Sequence, residues 1–248
     1  MSDNIVLPDG QKIKCGSLML MDDRMNFFNC FSKNTNDLTQ HNEFLSFIKY
    51  TKDKKIFFDV GSSYGVFGLT FSKNENCQVY SFDGSLPAYL ALNQTIMLNN
   101  IDNIKHFKMM IGDQDQYVQV AYDKHQSLLG NFGNTFTIET MLRLDSFSEL
   151  FDVVPDCIKI DVEGAEYKVL QGSSYIIKNH RPILFMEVHP KFLKNFHNHS
   201  IYDVINFFEK YEYEAVDVLG NKIKDYKKHL EQETTDSNRT VWLPKETN

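Results

Sequence analysis

The stretch Ile56-Phe57-Phe58-Asp59-Val60-Gly61-Ser62-Ser63-Tyr64-Gly65 constrains the fold of this chain more than any other. Its first five residues, apolar except for Asp59, read as a short strand buried on both faces. A glycine-bounded turn follows. The run from Val66 to Lys73 then carries Val66, Phe67, Leu69, Thr70 and Phe71, an apolar surface too crowded for an exposed helix. A buried strand feeding a helix across a tight glycine turn is the opening unit of a doubly wound α/β sheet, mostly parallel. In such sheets the ligand sits beyond the carboxyl ends of the strands. Gly61 lets the backbone turn sharply and approach a ligand closely.

The same turn selects among ligands. A dinucleotide fingerprint wants G-x-G-x-x-G after the strand. Here Ser63 and Val66 stand at the second and third glycine positions, so an NAD-binding oxidoreductase is excluded. The pattern is instead Asp-x-Gly-x-x-x-Gly. A carboxylate at Asp59 repels a pyrophosphate and suits the ammonium of an amino acid. The next strand, Gln78 to Phe82, ends in Asp83, an acid suited to ribose hydroxyls. An amino acid joined to an unphosphorylated ribose is S-adenosylmethionine (SAM). The expected cofactor contacts are Asp59, Gly61, Ser62, Tyr64, Gly65 and Asp83. Asp113, after a third strand at Ile104 to Ile111, is placed to meet the adenine amino group.

At 248 residues the chain suits one large α/β domain. A formal net charge of −7 gives no broad basic field, so a nucleic-acid partner is not expected. No apolar run approaches the roughly 18 residues of a membrane span. Met1-Ser2-Asp3-Asn4 lacks the basic and apolar regions of a secretory signal. Cys15, Cys30, Cys77 and Cys157 are scattered without metal spacing. Together these features suit the cytoplasm.

Residues 1–40 read as an N-terminal extension that caps the sheet or covers the site. Strands are expected around Ile5-Val6-Leu7, Lys12-Ile13-Lys14 and Ser17 to Met21, with a Pro8-Asp9-Gly10 turn. The main domain spans 41–248. A helix over Asn42 to Lys52 leads into the first core strand, and a second runs from Leu86 to Asn99 with Ser85 as N-cap and Pro87 in its first turn. Residues 114–150 break the alternation and form an insertion, with a strand at Tyr117 to Tyr122, a loop at Gly130 to Asn134, and extended pieces at Thr135 to Glu139 and Leu142 to Leu144. Insertions of this length are often functional. Tyr117, Tyr122, Phe132 and Phe136 are expected to stack on the acceptor. The fourth core strand is Asp156 to Asp161, with a helix from about Ala165 to Leu170. The fifth, Ile183 to Val188, ends at His189-Pro190. A helix with apolar Ile201, Val204, Ile205, Phe207 and Phe208 follows, then a strand at Tyr213 to Leu219, a polar linker over 222–238, and an antiparallel last strand at Arg239 to Leu243.

Five blocks, in this order and spacing, resemble the FkbM family of methyltransferases: Phe58 to Gly65, Ser81-Phe82-Asp83, Leu144-Asp145-Ser146-Phe147, Ile158 to Glu166 and Met186 to Pro190. The Ile-Lys-Ile-Asp-Val-Glu-Gly-Ala-Glu block is the most specific. The resemblance covers about residues 56–190 and implies a class I SAM-dependent fold and O-methylation of a sugar, glycan or polyketide hydroxyl. Two blocks depart from the family pattern. Phe82-Asp83-Gly84 stands for Phe-Glu-Pro, keeping the acid, and Ser62-Ser63-Tyr64-Gly65 stands for Ala-Asn-Ile-Gly.

Methyl transfer from a sulfonium is an in-line displacement, and a hydroxyl acceptor benefits from a base. The ends of the fourth and fifth strands present Asp161, Glu163 and Glu166, and Glu187 and His189. Asp161 or His189 is the expected base, with Glu163, Glu187 and Tyr122 as acceptor contacts. Glu163 also fits as a cap of the following helix, Glu166 as a first-turn residue, and Glu187 as a support for a backbone loop. Asp161, Glu187 and His189 are an O/O/N set that a hard divalent cation accepts, although no metal is expected. His197-Asn198-His199 reads as a solvated loop. A base-amine methyltransferase would carry Asn/Asp-Pro-Pro-Tyr/Phe where this chain has Asp161-Val162-Glu163-Gly164. The function expected is O-methylation of a sugar or glycan hydroxyl. The alternatives are another small molecule, a nucleic-acid hydroxyl, or a non-catalytic SAM-binding protein.

Overall fold

A computed structural model describes residues 4–7, 9–18, 31, 38–123, 126–129, 136–231 and 238–246. The chain divides into two compact units, Met1–Lys108 and Met109–Asn248.

The first unit opens with an antiparallel hairpin, β1 (Asn4–Val6) and β2 (Lys12–Lys14), which pairs the buried Ile5 with the buried Ile13. The other described elements of the unit are α1 (Thr39–Thr51), β3 (Ile56–Val60), α2 (Val66–Phe71), β4 (Gln78–Asp83), α3 (Leu86–Leu98) and β5 (Ile104–Lys108). Strands β3, β4 and β5 lie side by side and parallel, with Phe58 opposite Tyr80 and Val79 opposite Ile104. All six residues of α2 are buried, as their crowding requires. Phe47 of α1 sits 5.0 Å from both Phe57 and Phe67, and Phe71 sits 5.1 Å from Phe57, so one aromatic cluster glues both helices to β3. Ser85 caps α3 by accepting from the Ala88 N–H, as expected. The hairpin packs on α3, where Lys14 and Asn99 exchange two hydrogen bonds of 3.0 and 2.8 Å. The expected strand at Ser17 to Met21 lies largely outside the described residues, and so does Cys30.

The second unit begins with a four-stranded sheet. It holds β6 (Met110–Ile111), β7 (Gln116–Asp123), β8 (Gln126–Leu129) and β9 (Phe136–Leu142), in the order β6-β9-β7-β8. After α4 (Leu144–Phe151) come β10 (Cys157–Ile160), α5 (Glu166–Gly172), α6 (Ser174–His180), β11 (Ile183–Val188), α7 (Pro190–His197), α8 (Ile201–Lys210), β12 (Tyr213–Val216), α9 (Tyr226–Glu231) and β13 (Asn238–Pro244). Strands β10 and β11 are parallel, and β13 runs antiparallel between β11 and β12, so the antiparallel last strand is as expected. Trp242 of β13 stacks on Phe208 of α8 at 4.0 Å, closing the core on that side. The protein is of the α/β class with a mostly parallel sheet.

Several sequence expectations need correcting. The single strand from Ile104 to Ile111 is broken at Met109, because Met110 and Ile111 pair with Met141 and Leu142 of β9. Leu144 is not extended but begins α4. Its buried Leu144 and Phe147 are one helical turn apart, a spacing that two residues of context could not reveal. Helices α6 and α7 were not anticipated. The strand from Tyr213 stops at Val216, because Asp217 folds a turn in which its side chain accepts from Leu219 and Asn221 N–H groups. The polar linker holds α9. The loop at 130–134 lies outside the described residues, as does Phe132.

Candidate active site

In the first unit the turn after β3 is shaped by two glycines in the left-handed region, Gly61 at φ 77° and Gly65 at φ 80°. Gly65 also answers to packing, since a Cβ there would lie 2.5 Å from Leu92 Cδ1. Asp83, one strand over, accepts from the Ser63 N–H at 2.8 Å and from the Ser85 N–H at 2.7 Å. Its carboxylate is therefore fixed by both turns it touches. Ser62 is buried, and its hydroxyl has no partner among the described residues. An orphaned buried hydroxyl beside a positive-φ glycine and an oriented carboxylate is what a polar ligand with ribose hydroxyls needs. These residues fit SAM. Asp59 is 1% exposed, with its Oδ2 beneath Gly68 of α2, where a Cβ would lie 3.4 Å away. Tyr64 is half-buried in the turn. Asp113 belongs to the second unit, where it stands 3.9 Å from Lys168 Nζ.

The second unit carries a cluster of charges whose placement follows from strand alternation. Lys159 of β10 pairs in register with Phe185 of β11, and Glu187 of β11 pairs with Arg239 of β13. Residues two apart share a face of the sheet, so Lys159 and Asp161 lie on one face with Glu187 and Arg239. Asp161 meets Lys159 Nζ at 3.1 Å, and Glu187 meets Arg239. His189 follows β11 and is nearly buried. Its Nδ1 lies 2.8 Å from Glu166 Oε1, and its Nε2 lies 3.4 Å from Glu163 and 3.7 Å from Glu187. Glu166, fully buried at the start of α5, also accepts from the Gly164 N–H at 2.9 Å. Gly164, at φ 103°, is a packing necessity, because a Cβ there would lie 2.6 Å from Phe192 Cβ of α7. Phe192 in turn stacks on the His189 ring. The glycine of the most specific sequence block thus brings α7 close and seats the histidine.

These neighbours set the proton affinities. Burial pushes His189 down, but the hydrogen bond to Glu166 and the charges of Glu166, Asp161 and Glu163 outweigh it and raise its pKa to about 9. Burial is the largest influence on Glu163 and lifts it to about 6, against the pull of His189. Burial also lifts Asp161, yet Lys159, His189 and Arg239 hold its carboxyl below the ordinary range. Asp161, Glu187 and His189 present donor atoms within 4.8 Å of one another, a match to a cation by ligand type. Lys159 and Arg239 pair with the two carboxylates of this set.

Among the expected site residues, Asp161, Glu163, Glu187 and His189 come together, joined by Glu166. Glu163 is not the N-cap of α5, which is Ala165, and it stands at φ 52°. Sequence reasoning missed the buried Lys159 and the part-buried Arg239, the cations of the cluster. A lysine inside an otherwise apolar strand was the available signal. The side chain of Tyr122 lies outside the described residues, whereas Tyr117 is exposed. His197 and His199 are not a solvated loop. His197 ends α7 with its pKa lowered to about 4, mainly by burial, and His199 meets the Tyr167 ring edge-on at 4.8 Å.

No curated protein sequence matches the chain. Among solved structures it is similar to the methyltransferase FkbM of Methylobacillus flagellatus (16% identity, 77% of this chain and 44% of that one, TM-score 0.50). It is also similar to an rRNA methylase of Streptococcus thermophilus (10% identity, 86% and 99%, TM-score 0.52) and to the ribosomal protein L11 methylase of Lactobacillus delbrueckii (12% identity, 86% and 81%, TM-score 0.50). The chain thus spans less than half the length of the Methylobacillus protein. At these identities the likeness shows the fold alone, the Rossmann-like fold of class I methyltransferases. The family model for the methyltransferase FkbM domain matches residues 59–215, more than half the sequence and every residue of the charge cluster except Arg239. The chain belongs to the FkbM methyltransferase family.

Proposed function

We propose that the protein transfers a methyl group from SAM to a hydroxyl of a sugar or glycan. The observation that carries this reading is the cluster of Asp161, Glu163, Glu166, Glu187 and His189 at the strand ends of the second unit, in which every carboxylate has a charged neighbour. Such a constellation offers acceptors and donors to a polyol and can take a hydroxyl proton. It does not offer the Pro-Pro-aromatic clamp that suits a planar base amine. Gly61, Ser62, Tyr64, Gly65, Asp83 and Asp59 would hold the cofactor, with Asp113 toward the adenine. When bound, SAM supplies an electrophilic methyl on a sulfonium. In the second unit, Asp161, Glu187 and His189 would orient the acceptor, and the exposed Tyr117 would offer a ring to a sugar face. Residues 1–40 are read as an extension on the main domain. The described cysteines Cys15, Cys77 and Cys157 are free and buried, which suits a reducing compartment such as the cytoplasm. Among the described residues no helix is long and apolar enough to cross a membrane.

Two measurements test the reading. Calorimetric titration should show SAM binding, and its absence would remove the enzyme reading altogether. Mass spectrometry of glycans from cells with and without the gene should reveal a species heavier by one methylene only where the protein is present. Identical glycan profiles, with the added methylene appearing on protein or nucleic acid instead, would defeat the sugar assignment.

A further inference from the structure

His189 is held from two sides, and its two nitrogens differ in what they meet. The residue is 4% exposed. Its Nδ1 bonds the wholly buried Glu166 at 2.8 Å, and Phe192 of α7 stacks on the ring with planes only 9° apart. A carboxylate accepts, so the bond to Glu166 places a proton on Nδ1 and leaves Nε2 as the lone-pair nitrogen of the neutral ring. That nitrogen is aimed at carboxylates, with Glu163 Oε2 at 3.4 Å and Glu187 Oε1 at 3.7 Å. Both distances exceed the roughly 2.7–3.2 Å of an N–H···O hydrogen bond. They match instead the spacing of two ligands on one ion, about 3.4 Å for bonds of about 2.1 Å in a tetrahedral arrangement. A lone pair facing carboxylates needs a positive charge between them. A second proton is one candidate and a cation is the other.

We propose that Asp161, Glu187 and His189 Nε2 hold one divalent transition-metal ion at the carboxyl ends of β10 and β11. Donor atoms of the three residues all lie within 4.8 Å of one another, close to the limit of about twice a metal–ligand bond. Glu166 is the outer partner of the ligating imidazole, in the carboxylate–histidine–metal order that fixes ring and tautomer in metal centres. Lys159 and Arg239 orient the two ligating carboxylates in the same way. One imidazole among oxygens favours a first-row ion such as Mn²⁺ over Mg²⁺ or Ca²⁺, which prefer oxygen alone. The sequence set the same three residues side by side without calling for a metal; the fixed ring and the aim of Nε2 come from the fold. Binding of the ion stands apart from the hydroxyl reading above, but the use made of it rests on that reading. Three protein donors leave a position for an acceptor oxygen, whose proton the ion would loosen.

The test uses the full chain, stripped with a chelator, and Mn²⁺ as the probe. Calorimetry should find one Mn²⁺ per chain, and pulsed electron paramagnetic resonance of the bound ion should show coupling to an imidazole nitrogen. His189→Gln and Asp161→Asn should each weaken binding by at least roughly tenfold, and Glu166→Gln by roughly 10–100-fold, the range for an outer partner of a metal ligand. Should a variant fail to fold by circular dichroism, the nitrogen coupling decides on the wild type alone. Bound Mn²⁺ without that coupling, or binding undiminished in folded His189→Gln and Asp161→Asn, would reduce the site to surface carboxylates and overturn the proposal. So would a wild type that takes up neither Mn²⁺ nor Zn²⁺. Methylation of methyl pyranosides should stop on chelation and return with Mn²⁺. A chain that binds Mn²⁺ with the coupling yet methylates no pyranoside supports the site and defeats the hydroxyl reading. One that methylates pyranosides equally well in chelator and binds no metal defeats the site and keeps that reading.

Discussion

Asp83 shows how one side chain ties two turns together beside the proposed cofactor site. Its two oxygens each accept a backbone N–H, from Ser63 and Ser85, and so tie the turn after β3 to the start of α3. Asp83→Ala removes these bonds together with any bond to a ribose. Asp83→Asn keeps one oxygen as an acceptor. Calorimetry should therefore find SAM binding weakened by roughly 1.5–3 kcal/mol in the alanine variant, and by less in the asparagine variant. Equal affinity in wild type and Asp83→Ala would take Asp83 out of the cofactor site. Gly61 is a poorer probe, because its φ of 77° strains any side chain introduced there whether or not a ligand is near. Asp83 and Gly61 were legible from the sequence because strand, turn and acid lie within 28 consecutive residues, Ile56 to Asp83.

At the scale of elements, the Leu144-Asp145-Ser146-Phe147 block belongs to the framework. Asp145 accepts from the Tyr175 and Ile176 N–H groups at 2.9 and 3.0 Å, which places a carboxylate at the N-terminus of α6. Arg143 and Ser146 bind Asp115. Asp145→Ala should destabilise the protein by roughly 0.5–2 kcal/mol, the range for a lost helix cap, and leave SAM affinity unchanged. Chemical denaturation and calorimetry on the same variant check both halves. A change in SAM affinity without a change in stability would move Asp145 from the framework to the site. The capping contact could not be read in advance, because Asp145 and Ile176 are 31 residues apart and α6 carries no start signal of its own. The aromatic cluster around Phe47 was the opposite case. The apolar spacing of α1 and α2 marked both as helices with buried faces, and β3 supplied the surface that both cover.

For the molecule as a whole, the charge cluster makes stability depend on pH in an unusual direction. His189 binds its proton more tightly when folded, at about 9 against an ordinary 6.5. Its contribution is therefore complete below about pH 6.5 and is lost as pH rises through about 9, an effect on the order of 3 kcal/mol at most. Glu163, raised to about 6 from 4.5, acts in the same sense at lower pH. Thermal denaturation should show Tm falling between pH 6.5 and 9 in the wild type, with a flatter profile in His189→Gln despite its lower overall stability. The same slope in both proteins would mean that His189 titrates normally. Much of this protein was determined by its sequence alone: the glycine turn, the alternation of apolar strands and helices, the acids at strand ends and the resemblance built on them. Each is a local matter of φ, periodicity or spacing within a few residues. Only the tertiary structure decided which neighbours the acids meet. Whether Glu187 meets Arg239 and whether Glu166 is buried against His189 depend on register and burial across residues up to 52 apart. A carboxylate's proton affinity is set by those neighbours and by lost water, and neither is written in the local sequence.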